Sequence, residues 1–383
     1  MKKILFVSHA SGLDGAERFL IDLVSRMHGS RFIPSVVCPF VGPMVDELRS
    51  ISVPVDVVRQ PFMGQRAQEI LLFAVGVTPA TLRLARYVRE SHCHVVYSNS
   101  LQNPYGVLAA RLAGVPCIWH VHELVANPVV RVALTQSATL LADRLIVVSR
   151  AVGAMFSERA RQTKVRMVYN GVNTSYFSPE SVPRALARAA FALDDSQPTV
   201  AVIARFCHRK GHYDLLCAMP ELLRRWPDCL LLAPGHGPLQ SELISTTRRL
   251  GIENNVRFLG FVPDIRQVMA AADVLVLPSY KEAFGRVLIE AMSMGIPVVA
   301  TDEAGPQEVV SPDVGLRVPF GNPRALASAI AILLEDRELA KQMGRCGRQK
   351  VLDLFSLDRA VEAVERILAE LVDERARSCY ESR

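Results

Sequence analysis

Asp273 to Thr301 reads DVLVLPSYKEAFGRVLIEAMSMGIPVVAT, and the fold and the function are both approached from this stretch. Asp273 to Leu277 is a short apolar run of the kind that forms a buried parallel strand, and Ile296 to Ala300 is a second. The segment between them starts a helix at the Phe284-Gly285 pair, so the unit is strand, loop, helix, strand. Glu282 then sits on the loop before the helix and Glu290 lies over a turn inside it. Both carboxylates can reach one ligand lying across the helix start, where the N–H groups of Phe284, Gly285, Arg286 and Val287 form a ready anion site. Carboxylates accept hydrogen bonds from vicinal hydroxyls and helix amides bind diphosphate, which together suit a nucleotide sugar. The bland alternative is a pair of solvated helix glutamates; Gly285, Gly295 and Pro297 in the same register weigh against it.

The rest of the chain repeats the same alternation. Strands are expected over 3–8, 34–38, 53–58, 95–97, 117–121 and 145–148, which make one doubly wound sheet. A second series covers 199–203, 229–233, 256–259, 274–277 and 297–300, with helices near 213–226, 239–250, 265–271 and 285–294. The pattern breaks at Tyr169-Asn170-Gly171-Val172-Asn173, where the hinge is placed. Ser356-Leu357-Asp358 begins a long helix through Arg375, apolar along Val361, Val364, Ile367, Leu368 and Leu371. The expected organisation is a first α/β Rossmann-like domain over 1–172 and a second over 173–358, with the helix of about 359–383 returning to the first. A chain of 383 residues with half of them apolar is too long for one ordinary core.

The Glu282–Glu290 segment resembles the E-x7-E signature of retaining glycosyltransferases of family 4, the glycosyl transferases group 1. It departs at Ala283, where glycine is usual, and at Arg286, where an aliphatic residue is frequent. The resemblance covers nearly the whole chain and is strongest from Thr199 to Pro319. It implies the GT-B fold, two Rossmann-like domains facing each other across a cleft, the second binding the nucleotide sugar and the first the acceptor. Ala204-Arg205-Phe206-Cys207-His208-Arg209-Lys210-Gly211 resembles the family's R-x4-K-G element, which assigns Arg205 and Lys210 to the charge of the departing nucleoside diphosphate. Gly235-His236-Gly237-Pro238 is similar to its turn beside the nucleotide, and Phe261-Val262 to the segment that contacts the base. Glu282 is then the sugar-hydroxyl ligand and Glu290 the ribose ligand, with Gly305 and Glu308 in a supporting loop.

In the first domain Gly12 and Gly15 flank a loop after the first strand, with Asp14 between them as an acceptor-side candidate. Two glycines in a strand–helix connection are common to Rossmann-like domains; the run Gly12-Leu13-Asp14-Gly15-Ala16-Glu17 is also similar to the family's first-domain loop near donor phosphate and acceptor. His120 and His122 share one face of their strand by period-two alternation, with Glu123 at its end, and one of them should line the site. The resemblance selects His122, beside the reacting carbon. Asn99 ends a neighbouring strand and either touches acceptor or caps a turn.

The charge narrows the partners. Up to Val168 there are 19 Lys and Arg against 11 Asp and Glu, leaving 25 against 27 beyond. Arg83, Arg86 and Arg89 recur on one helical face near Phe62, Leu71, Leu72 and Phe73, either as a solvated face or as one resting on anionic lipid. Nucleic acid is disfavoured, because the basic residues are not interleaved with aromatic stacking residues. The Ile70–Val77 run is interrupted at Gly76 and closed by Thr78-Pro79, short of a membrane span, and the apolar stretch after Lys3 is too short for a signal peptide. A cytoplasmic protein is expected, either free or peripheral at the inner face of the plasma membrane. The eight cysteines show no zinc spacing and no acidic metal motif occurs, so neither metal nor cofactor is expected. The function implied is transfer of a sugar from a UDP- or GDP-hexose type donor to an acceptor hydroxyl, with a lipid-linked or envelope glycan precursor as acceptor. The alternatives are a nucleotide-sugar epimerase of the same fold and a non-catalytic sugar-nucleotide-binding protein.

Overall fold

The computed structural model describes residues 1–27, 31–61 and 67–381, and the side chains of 67–75 and 378–381 lie outside that description. The chain divides into two compact units, Met1–Gly171 with Leu357–Arg383, and Val172–Ser356. Each is a parallel sheet with helices, an α/β architecture.

In the first unit, β1 (Lys2–Val7), β2 (Phe32–Cys38), β3 (Val55–Val57), β4 (Val95–Asn99), β5 (Cys117–Val121), β6 (Arg144–Val147) and β7 (Val165–Met167) pair in the order β3-β2-β1-β4-β5-β6-β7. Ile4 of β1 is in register with Pro34 of β2 and with Val95 of β4. Ile4, Leu5, Phe6 and Val7 are all fully buried, because helices cover both faces of a parallel sheet and the strand need not alternate. The second unit pairs β8 (Thr199–Ala201), β9 (Leu230–Pro234), β10 (Val256–Gly260), β11 (Val274–Leu277), β12 (Val298–Thr301) and β13 (Gly315–Val318) in the order β10-β9-β8-β11-β12-β13. In each sheet the strand order reverses beside the strand that opens the unit, between β1 and β4 and between β8 and β11. Ligands of open α/β sheets lie outside the carboxyl ends of the strands at such a point.

The Leu357–Glu381 helix completes the first unit. Val361, Val364, Ile367, Leu368 and Leu371 recur every three or four residues and bury with Phe19, Leu20, Leu23 and Phe32. Each such side chain contributes about 1.5–3 kcal/mol through burial. The ion pair of Arg26 with Asp358 at 2.6 Å is solvent-exposed and adds little by comparison. At the start and end of the second unit the chain runs side by side, Val172 N–H donating to the Phe355 carbonyl at 2.9 Å.

The Ala67–Ser91 helix carries the Ile70–Val77 run and continues through Pro79. Proline supplies a helix-compatible φ and costs the one hydrogen bond its missing N–H would have made, which packing of the long helix can outweigh. Strands β7 and β13 extend the sheets beyond the expected six and five. Val165–Met167 is too short for a periodicity to declare itself, and Gly315–Val318 carries Arg317 in its middle.

Leu368 is fully buried in the first unit's core. Leu368→Ala is expected to destabilise that unit by about 2–5 kcal/mol, read as a lowered thermal unfolding midpoint with the helical circular dichroism retained at low temperature.

Candidate functional site

In the second unit, the segments that follow β8, β9, β11 and β12 converge at the strand-order reversal. The turn after β8 carries Arg205 and Lys210, closing in a short 3-10 helix at His208–Lys210. The loop after β11 carries Glu282. These two segments are zipped together: Tyr280 N–H donates to the Arg209 carbonyl at 2.7 Å. Gly211 adopts φ +67°, and a Cβ there would lie 1.8 Å from the Pro278 carbonyl oxygen, so only glycine permits the approach. Lys210 Nζ then meets Glu282 Oε2 at 2.5 Å. The pair is mostly buried, with side-chain exposures of 19% and 13%. Burial alone would raise the Glu282 carboxyl, but the Lys210 charge and hydrogen bond, with Arg209 behind them, outweigh it and hold the group below its usual value. Glu282 is therefore ionised, with Oε2 held by Lys210.

The far side of the Glu282 loop is anchored as firmly. Gly305 N–H donates to the Glu282 carbonyl at 2.9 Å and Thr301 Oγ1 to the Ser279 carbonyl at 2.6 Å. Gly285 caps the Arg286–Ser293 helix in the left-handed region, φ +87°, turning the chain from the loop into the helix axis. Glu290 lies one turn along and accepts from Arg286 Nε at 2.9 Å. Arg286, where the family pattern is frequently aliphatic, thus holds the carboxylate expected to meet ribose. Phe284 is buried, its ring edge-on to Phe355 at 5.7 Å, so only its backbone is available to a ligand. Val287 is half-buried in the first turn, where Leu288 N–H donates to the Gly285 carbonyl at 2.9 Å.

Gly235 and Gly237 belong to a turn that packs backbone to backbone on the Arg205 segment. Phe206 N–H donates to the His236 carbonyl at 2.9 Å, and a Cβ at Gly235 or Gly237 would come within 2.2 Å of the Ala204 or 2.3 Å of the Phe206 carbonyl oxygen. Arg205 itself is exposed and has no ion pair among the described residues. Phe261 is 65% exposed just past β10, with Val262 half-buried beside it.

In the first unit, the loop after β1 and the ends of β4 and β5 meet at the other reversal point. Gly12 and Gly15 differ from the glycines above: nothing lies within 4 Å of where a Cβ would stand at either. Asp14 is exposed between them. Asn99 is fully buried and donates through Nδ2 to the Ala16 carbonyl at 3.3 Å, which turns Oδ1 toward His122 Nε2, 2.9 Å away. His122 Nε2 therefore carries the proton in that bond. The two histidine rings do share a face, 3.9 Å apart, but their roles separate. His120 is fully buried beside Phe19, bonded to the Tyr97 hydroxyl at 2.7 Å, and burial pushes its pKa down to about 3. It is a neutral core residue, while His122 is half-buried just beyond the strand end.

Two acids of this cluster are named in the sequence reading without a role. Glu17 is 2% exposed in the first turn of the Gly15–Met27 helix, 3.3 Å from His9 Nε2. Burial raises its carboxyl above the usual value against the opposing charge of His9. Glu123, seen only as a strand-end acid, accepts from the Leu101 and His122 N–H groups, both at 3.1 Å, and from the Ser100 hydroxyl. No spacing signal marks either, since the partners come from different loops. Among the described residues no group of His, Cys, Asp and Glu has the arrangement of a metal site. Of the basic face, Arg86 pairs with Glu90 at 2.7 Å and Arg83 reaches the Arg59 carbonyl. Phe62 and the side chains of Leu71, Leu72 and Phe73 lie outside the described residues. No described helix is long and apolar enough to cross a membrane.

The chain is similar to known proteins. The glycosyl transferases group 1 profile matches residues 183–350, and that of Glycosyltransferase Family 4 matches residues 13–176. The D-inositol 3-phosphate glycosyltransferase of Segniliparus rotundus is 30% identical over 320 residues, 76% of this chain and 70% of that one. A GDP-mannose-dependent alpha-(1-6)-phosphatidylinositol monomannoside mannosyltransferase of Mycolicibacterium smegmatis is 32% identical over 289 residues, 71% and 75% of the two chains. Anabaena HepE, solved in complex with UDP-glucose, has a TM-score of 0.84 over 97% of this chain and 100% of its own, at 24% identity, which speaks to the fold. The chain belongs to the glycosyl transferases group 1, and it is a glycosyltransferase of the GT-B fold.

Two substitutions probe the geometry. Gly211→Ala must displace Pro278 and with it the Glu282 loop, and is expected to lower kcat/KM by about tenfold or more and to destabilise the second unit by upwards of about 1 kcal/mol. The unfolded chain protonates a histidine near pH 6.5 while folded His120 resists until about 3, so stability is lost as pH falls through that window. His120→Gln removes this proton uptake. Between pH 7 and pH 4.5 the native protein is expected to lose about 2 kcal/mol more than the variant, measured by urea unfolding of the first unit's signal.

Proposed function

We propose that this enzyme moves a hexose-type unit, with retention, from a nucleotide diphosphate sugar of the UDP or GDP type to a hydroxyl of a lipid-linked or envelope glycan precursor. The observation that carries the reading is the fixed Lys210–Glu282 pair beside Glu290 and a helix start, all at the strand-order reversal of the second sheet. In this reading the diphosphate lies on the N–H groups of Arg286 and Val287, with Lys210 and Arg205 meeting the charge that grows on the leaving phosphate. That charge is larger in the transition state than in the bound donor, so fixed cations lower the barrier. Glu282 accepts from sugar hydroxyls and Glu290 from ribose. Gly235, Gly237, Phe261 and Val262 form the nucleotide end, where backbone does much of the reading.

Neither acid is placed as a nucleophile. A retaining hydrolase sets two carboxylates about 5 Å apart across the reacting carbon, whereas Glu282 is held by Lys210 and Glu290 by Arg286. Attack from the leaving-group face is then the preferred path, the departing phosphate accepting the acceptor's proton. We assign His122 to the sugar beside the reacting carbon, held by Asn99, and the open Gly12–Gly15 loop with Asp14 to donor phosphate and acceptor. A lipid-linked acceptor is supported by the Mycolicibacterium relative, whose name carries a phosphatidylinositol mannoside. It is further supported by the Pro128–Leu141 helix after β5, which exposes Val129, Val130, Val132 and Leu140. Work at the inner face of a membrane, through Arg83, Arg86 and Arg89, would fit such an acceptor.

A panel of UDP-, GDP- and ADP-sugars in thermal-shift assays is expected to give one clear donor. With that donor, proton NMR should show a product of unchanged anomeric configuration and nucleotide release that depends on acceptor; isomerisation of donor alone would instead identify an epimerase. Lys210→Ala and Glu282→Ala are each expected to cut turnover by about two orders of magnitude or more in folded protein. Near-normal rates in both variants would sink the assignment.

A further inference from the structure

At the opposite edge of the first sheet from these loops there is a cavity of about 350 Å³, reached where Pro116, Asp143 and Lys164 lead into β5, β6 and β7. Four cations line it, Arg111, Arg144, Lys164 and Arg375, against two carboxylates, Asp143 and Glu374. Arg111 pairs with Asp143 at 3.0 Å and Arg144 with Glu374. Among the described residues the other two meet only neutral acceptors. Lys164 Nζ donates to the Thr139 and Ala142 carbonyls at 2.7 and 2.8 Å, and Arg375 Nη2 to the Gly114 carbonyl at 3.2 Å. Those carbonyls hold the two heads in place without cancelling their charge.

A recess lined by four cations and two carboxylates, two of the cations without a carboxylate partner, suits an oxyanion of charge near −2. A phosphate monoester fits, since it carries about −1.5 to −2 at neutral pH and offers three acceptor oxygens. Guanidinium forks and an ammonium donate to such a group through short, charge-assisted bonds. The volume lies at the small end of ligand pockets, which suits a sugar phosphate or similar metabolite. We propose that this cavity is a second binding site, distinct from the donor and acceptor sites, for a small phosphorylated molecule. Its ligand joins the sheet edge to the last turns of the Leu357–Glu381 helix, which supplies Glu374 and Arg375. Occupancy therefore reinforces the packing of that helix on the first unit.

The test is titration of the full chain with inorganic phosphate and with glycerol 3-phosphate, followed by calorimetry and by the thermal midpoint of the first unit. Saturable binding with a dissociation constant of about 1 mM or tighter is expected, with a raised midpoint. Arg375→Gln and Lys164→Gln should each weaken it by about tenfold, while Lys210→Ala leaves it unchanged. Lys164→Gln also loses two carbonyl contacts; should it fail to fold, the exposed Arg375→Gln decides alone. The proposal is overturned if neither probe binds saturably, if Arg375→Gln binds as tightly as the native chain, or if Lys210→Ala abolishes binding and so places both probes in the donor site.

Discussion

The contact on which the second unit's site depends is the close approach of two segments that are distant in the chain. Lys210 and Glu282 are 72 residues apart, yet they belong to the segments after β8 and β11, which are hydrogen-bonded neighbours in the sheet. The sheet brings the segments near; the glycine at 211 lets their backbones touch, and the Tyr280–Arg209 hydrogen bond locks the register. An ammonium and a carboxylate taken out of water cost several kcal/mol unless their geometry is good. Here that geometry is enforced by backbone, so the pair can remain charged while largely shielded, and charge held in place before the reaction is what stabilises a leaving phosphate.

Six glycines of the loops described above divide into two physical classes, and the division bears on what each loop is for. Gly211, Gly235, Gly237 and Gly305 have no room for a side chain because neighbouring carbonyls occupy the space. Their role is to bring loops together. Gly12 and Gly15 have open space and no left-handed backbone, so nothing inside the chain requires them to be small. An approaching ligand is the simplest demand that would.

The first unit shows how burial assigns different tasks to like residues. His120 and His122 are two positions apart with their rings in contact, yet one is a neutral core group and the other is oriented by Asn99 at the sheet edge. Glu17 and Glu123 likewise gain their surroundings from several loops at once. The basic cavity at the far end follows the same rule in reverse, since its cations come from two strand entrances, the Pro104–Ala113 helix and the terminal helix.

Much of this was legible in the residues. Apolar runs such as Ile4–Val7 and Val274–Leu277 announce parallel strands because both faces are buried, and the 3.6-residue repeat from Val361 to Leu371 announces the last helix. The E-x7-E and R-x4-K-G spacings, with the family they indicate, are local patterns and need no fold to be seen. Strand β13, the helix through Pro79, the Arg286–Glu290 clasp, the separate fates of the two histidines and the pairing of Glu17 with His9 were not legible. Sequence by itself determined the alternation, the chemistry of each loop and the class of enzyme, because these rest on periodicity and on residue type. Only the tertiary structure decided which charges meet and which are buried, because strand order and loop contact set those distances and neither is written in any single stretch of chain.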